Sequence, residues 1–191
     1  MASIARAVLA ALCIAGALVA CSPTTLVERA VEARSAEDIA EDNRIVLKVN
    51  RIMADLGDIS ASTEIYEQRL LVTGLFDDKE TYETFRRRVR AVDGVEQLYW
   101  HAVHMSESEQ AKREGELLDW GEVVVLDNRV GVDLISTRGI ADVNFRVAAD
   151  PFATVYLLGR ARSEEERSKA LRVARNAKGV RKVVSYVEVR P

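Results

Sequence analysis

Slid against itself by 85 positions, the chain meets its own pattern without a gap. Asp42-Asn43-Arg44 falls on Asp127-Asn128-Arg129, Gly74 on Gly159, Glu80 on Glu165, Arg87 on Arg172, Arg90 on Arg175, and Gly94-Val95 on Gly179-Val180. The identities coincide with turn glycines and with equal spacing between elements, so residues 42–105 and 127–191 read as two copies of one module. A copy of about 60 residues buries only a marginal core by itself. A fold is therefore sought that one short module adopts twice.

Within each copy the hydrophobic period changes in the same order. Ile45, Val49, Ile52, Met53 and Leu56 follow helical spacing behind Asp42 or Asn43 as an N-cap. Two β-rich runs follow near 59–66 and 69–76, close enough for a hairpin. A second helix is expected from Glu80 to Val92, stopped by Asp93-Gly94, and then a strand from Val95 to Val103. The second copy repeats this with a helix reaching Thr137, strands near 143–150 and 153–160, a helix from Ser163 to Ala177 and a strand from Val180 to Val189. Its first helix has room to start earlier, because Trp120, Val123, Val124, Leu134 and Ile135 fit one face. The expected class is α+β: two tandem α-β-β-α-β modules, each a small mixed three-stranded sheet covered by two helices, since the last crossover demands parallel pairing. Both faces of the last strands carry apolar residues, with Leu98, Trp100 and Ala102 on one and Tyr99, Val103 and Met105 on the other. Helices cover only one face of so small a sheet, so the two sheets are expected to pack on each other or on a partner.

Upstream of the repeat, residues 1–20 carry one cation, Arg6, and then an apolar or small run that ends at Cys21. This reads as a signal peptide, too short in its apolar part to span a bilayer comfortably. Leu18-Val19-Ala20-Cys21 resembles the bacterial lipobox, which implies cleavage and acylation (palmitate among the chains) at Cys21. Ser22 after the Cys implies, by the same resemblance, delivery to the outer membrane. Residues 21–41 are polar and small and read as a tether; residues 106–126 read as a linker holding a helix start.

Two such modules behind a lipobox, each with an apolar run ending in Gly before its second helix (Leu70 to Gly74, Val155 to Gly159) and an Ala-Val-Asp-Gly-Val type of ending at residues 91–95 and 177–180, resemble the BON family. The layout is similar to dual-BON outer-membrane lipoproteins. The resemblance implies a non-enzymatic protein, anchored by lipid at Cys21 and facing the periplasm, that binds anionic phospholipid through its second module and supports envelope integrity. The family carries an aromatic residue at the start of that module's first helix; here the register puts Asn128 and Arg129 near that point, with Trp120 upstream.

Charge agrees with that division. The whole chain has a formal net charge of −3, which gives no reason to expect nucleic acid. Residues 42–105 hold nine Lys/Arg against eleven Asp/Glu, whereas residues 127–191 hold thirteen against eight. Each base near an anionic surface contributes about 1 kcal/mol. The candidate lipid-binding residues are Arg129 and Arg138 for charge and Trp120 for insertion at headgroup level; the second helix, with Arg167, Arg172 and Arg175, is the rival surface. Those arginines equally suit a solvated face paired with Glu164 to Glu166.

Nothing in the sequence specifies catalysis. His101 and His104 lie three apart in a strand and point to opposite faces. Asp77-Asp78 reads as a helix cap, and neither a nucleophile elbow nor a phosphate loop is found. Two cysteines without a ligand cluster argue against zinc. The expected protein has no cofactor, no metal and no enzymatic role. The other function open at this point is a protein adaptor for an envelope assembly or cell-wall remodelling machine.

Overall fold

The computed structural model describes residues 32–191; the signal-like segment, Cys21 and most of the tether lie outside the described residues. The first helix, α1 (Ala36–Leu56), begins six residues before the expected Asp42 cap. Ser35 caps it: its hydroxyl accepts the Asp38 N–H while the Asp38 carboxylate accepts the Ser35 N–H. Asp42 is buried inside the helix and has another task. Its carboxylate accepts the backbone N–H groups of Glu67 and Gln68 at 2.9 and 2.7 Å and pairs with Arg34 at 2.8 Å. Glu67 and Gln68 are the two positive-φ residues of the turn between β1 (Ala61–Tyr66) and β2 (Arg69–Phe76), a geometry that suits a tight hairpin. Asp78 caps α2 (Lys79–Arg90), and β3 (Gln97–His104) returns parallel to β2.

A linker with a short helix, α3 (Glu107–Ala111), leads to the second module. This comprises α4 (Trp120–Ser136), β4 (Phe145–Ala149), β5 (Thr154–Ala161), α5 (Glu164–Asn176) and β6 (Lys182–Val189). Both sheets are mixed and three-stranded, in the orders β1-β2-β3 and β4-β5-β6. The expected class and module layout are what the structure shows. β2 and β5, like β3 and β6, correspond at the offset of 85, but the first strands do not. Ala61 pairs with Gly74 whereas Phe145 pairs with Gly159, an offset of 84. The cause is the second hairpin turn: Asp150 N–H bonds Thr154 O around three residues, with Ala153 at φ 58°, where the first turn uses two. The register is therefore not gapless inside the hairpins.

Each module has a core between its helices and one face of its sheet. Ile45, Val49, Phe85 and Val89 meet Leu70 and Val72 in the first; Val130, Leu134, Ala170 and Ala174 meet Val155 and Leu157 in the second. The opposite sheet faces pack on each other through Tyr66, Leu71, Ala148, Tyr156 and Leu158, with Tyr99, Val184 and Tyr186 alongside. The two sheets thus cover each other, the first of the two ways expected for the two-faced last strands. Tyr99 stacks on Tyr186 at 3.8 Å between ring centroids, and His101 on Tyr156 at 4.2 Å. His101 Nε2 also lies 2.7 Å from the Tyr186 hydroxyl. His101 and Tyr186 are equivalent positions in the repeat, and equivalent positions meet each other only near a local two-fold axis.

Polar ties lock the seam. The Arg69 guanidinium, 7% exposed, donates to the carbonyls of Tyr186 and Gly159, each at 3.0 Å. Thr73 Oγ1 donates to Ala149 O at 2.9 Å, and the Tyr66 hydroxyl to Asn144 Oδ1 at 3.1 Å. Ala33, just ahead of α1, donates its N–H to the same Asn144 oxygen at 2.7 Å, so the end of the tether is fastened to the second module.

Candidate functional site

The helix that sequence and charge single out, α4, is apolar on two sides. Asp119 caps it and Glu122 reaches back to the Asp119 N–H. Val123, Leu126, Val130 and Leu134 point into the core, as the 3-4 spacing dictates. Val124, Val125, Val132 and Ile135 do not: they are 42%, 55%, 60% and 45% exposed. The expected single face grouping Val123 and Leu134 with Val124 and Ile135 is therefore two faces. Apolar side chains beyond the face the core uses mark a surface for docking, and α4 has solvent on that outer side, where the exposed Asn128 lies among the valines. The matching face of α1 exposes one large apolar side chain, Leu47, among Asn43, Arg44, Asn50 and Arg51. The two modules share a fold and differ in this surface.

The three residues chosen from sequence are spread along α4. Arg129 is half-buried on its flank and donates through Nη1 to Lys178 O at 2.6 Å, in the turn after α5. It borders a shallow groove of about 410 Å³ with Gly121, Val125, Leu126 and Gly179. Arg138 is exposed just past the helix C-terminus, where its carbonyl accepts Lys169 Nζ at 3.5 Å. Trp120 is at the opposite end of a helix about 25 Å long. It is half-buried against the second core and lines a cleft between the modules. Sequence reasoning missed the outer valines, although the signal was present in the run Val123-Val124-Val125.

On the rival helix, Arg167 pairs with Glu164 at 2.8 Å, but Glu166 is buried. Its carboxylate accepts the backbone N–H groups of Ala141 and Arg162 at 2.7 and 2.8 Å. Arg172, Arg175 and Lys178 are exposed and make no ion pair among the described residues. They place positive charge on the flank of the module that carries α4.

Two half-buried carboxylates, Asp127 on α4 and Glu64 on β1, are close enough to interact electrostatically. Burial pushes Asp127 up to about 6. Glu64, on β1, is pushed up to about 7 by burial and by the Asp127 charge, with Arg146 acting in the opposite sense. Of the histidines, His101 lies at the seam, where burial lowers its pKa, and His104 lies beside Tyr82, on the other sheet face. Among the described residues no group of three or more His, Cys, Asp or Glu is placed to hold a metal ion. No described helix is long and apolar enough to cross a membrane.

Residues 125–191, from α4 to the C-terminus, match the BON domain family, so the chain carries a BON domain there. That family is generally non-enzymatic, and no catalytic family is indicated. The chain is also 26% identical over 155 residues to an uncharacterized protein in the gshII 5′ region of Anaplasma centrale, spanning 78% of this chain and 95% of that protein. Among solved structures it is similar to CdsD, a structural protein of the type III secretion system of Chlamydia trachomatis, at 8% identity and a TM-score of 0.31, covering 78% of this chain and 93% of that one. The C-terminal domain of CdsD matches at the same identity and TM-score, covering 77% and 98%. Likeness that distant carries no functional argument.

Proposed function

We propose that this protein is a non-enzymatic, lipid-anchored periplasmic protein that docks on anionic phospholipid through the outer face of α4 and supports outer-membrane integrity. The observation that carries this reading is the exposed row Val124, Val125, Val132 and Ile135 on the one helix of a cationic BON domain that turns an apolar face to solvent. Apolar side chains enter the headgroup region while flanking bases meet the phosphates. Arg129 and Arg138 would serve the second task, and Trp120, at the N-terminal end of the same helix and half-buried in the cleft between the modules, would add an apolar contact only at that end. The anchor at Cys21 adds the second membrane signal that stable attachment requires.

Sedimentation with liposomes of graded phosphatidylglycerol content, at two salt concentrations, tests the reading. The protein is expected to pellet in proportion to phosphatidylglycerol and less at high salt. Val125→Asp with Val132→Asp is expected to abolish binding with the circular dichroism spectrum unchanged, and Arg129→Glu with Arg138→Glu to reduce it strongly. Should both pairs bind like the parent while Arg172→Glu with Arg175→Glu loses binding, α4 is not the docking surface. Binding that is indifferent to all three removes the membrane reading.

A further inference from the structure

One concavity lies between the modules, away from the exposed valines of α4. It is a cleft of about 420 Å³ with a mixed lining: Leu56 and Phe76 come from the first module and Leu118 and Trp120 from the entrance to the second, beside the polar side chains of Ser60, Thr81 and Gln110. Its size suits one or two side chains of a bound segment. Its rim is acidic. Asp58, Asp77, Asp78 and Asp119 line it and no Lys or Arg does.

The four carboxylates are not equivalent. Asp78 accepts the Thr81 N–H at 2.6 Å and Asp119 the Glu122 N–H at 2.8 Å, so the helix N-termini they cap offset much of their charge. Asp58 and Asp77 are exposed and make no hydrogen bond or ion pair through their side chains among the described residues. The cleft therefore presents uncompensated negative charge beside an indole and the side chains of Leu56 and Leu118. An anionic membrane is repelled by that rim and is too flat for the concavity. A cation on an apolar stem is matched on both counts, by Coulomb attraction and by the indole face.

We propose that this cleft binds a segment of a partner protein in which a Lys or Arg neighbours a large apolar side chain. The walls of the cleft are held in place by the linker. Leu118 N–H bonds Pro151 O at 2.8 Å, and Arg113 lies 5.2 Å over the Phe152 ring. The site exists only because two modules meet, and it gives the protein an adaptor surface separate from the face assigned to lipid.

The test titrates acetylated hexapeptides, each pairing one Arg or Lys with one Leu, Phe or Trp, into the full-length chain by calorimetry, with Glu-for-Arg analogues as controls. Binding of the basic peptides is expected, with none by the acidic analogues. Asp58→Asn with Asp77→Asn is expected to weaken it at least tenfold, as is Trp120→Ala, while Val125→Asp with Val132→Asp leaves it unchanged. The Asp58→Asn, Asp77→Asn chain is expected to keep the parent's binding to phosphatidylglycerol vesicles, which separates this site from the lipid reading. The proposal is overturned if no basic peptide binds at millimolar concentration, or if the Asn pair binds as the parent does. Self-association that disappears in the Asn pair also overturns it, by making a second copy of the chain the occupant.

Discussion

A methyl group added at Gly159 meets the carbonyl oxygen of Asn144, and the backbone there has φ +143°. Gly74, its equivalent, is confined in the same way by Ser60 O at 2.5 Å and φ +153°. The glycine that ends each apolar run is thus required by the close approach of the hairpin's first strand. Gly131 is its counterexample: it sits inside α4 with nothing within 4 Å of an added Cβ. We expect Gly159→Ala to cost about 1–3 kcal/mol and Gly131→Ala to add up to about 1 kcal/mol, read from urea denaturation midpoints. A chain that tolerates Gly159→Ala unchanged would show that the approach to Asn144 can relax. Tyr66→Phe removes the hydroxyl bond to Asn144 and is expected to lower stability by about 1 kcal/mol in the same assay.

Elements meet through groups far apart in the chain. Asp42 is one: it lies in α1 yet holds the amides of the β1–β2 turn. Asp42→Ala leaves those amides without their acceptor while Arg34 keeps its pairing with Glu32 at 3.0 Å, and a loss of about 1–3 kcal/mol, read from the urea midpoint, is expected from the unsatisfied buried donors. The half-buried carboxylates Glu64 on β1 and Asp127 on α4 make a prediction about pH. Glu64 rises from 4.5 to about 7 and Asp127 from 3.8 to about 6 on folding, so the folded state holds their protons more tightly. Stability from these two groups is fully present below the unfolded values and is lost as pH rises through the folded ones. Between about pH 4 and pH 7 the thermal midpoint is expected to lose this contribution, and Glu64→Gln should flatten that loss. An equal slope in the variant would mean that Glu64 is already ionised in the folded protein.

Across the whole molecule, the sheet-to-sheet seam decides that two modules behave as one body. Each small core is marginal alone, while the seam buries Tyr66, Leu71 and Leu158 and the Arg69 guanidinium. Unfolding by denaturant is therefore expected to be a single transition, coincident by far-ultraviolet dichroism and by tryptophan fluorescence. Arg69→Met should lower the midpoint and separate the two signals, because it removes the donor to Gly159 and Tyr186 while keeping side-chain volume. Coincident curves in that variant would assign the coupling to the aromatic stacks instead.

Element order, the repeat and the helix cap at Asp78 were legible in the sequence because each depends on residues a few positions apart: hydrophobic period, turn glycines and cap spacing are local properties of the backbone. That the second face of each sheet must be covered was legible too, since strands apolar on both faces must be covered twice; that the sheets cover each other rather than a partner was not. What lay beyond reach was anything set by distant partners. Asp42 reads as a cap by spacing, but the turn it holds is 25 residues away. α4 carries valines on two sides, so periodicity does not say which of them face water; only the position of β4 and α5 against it decides. The cleft with Asp58, Asp77 and Trp120 takes its walls from both modules and the linker, and no window of sequence contains it. Local chemistry determined which elements this chain forms, and the contact between two copies of the same fold decided which surfaces were left to act.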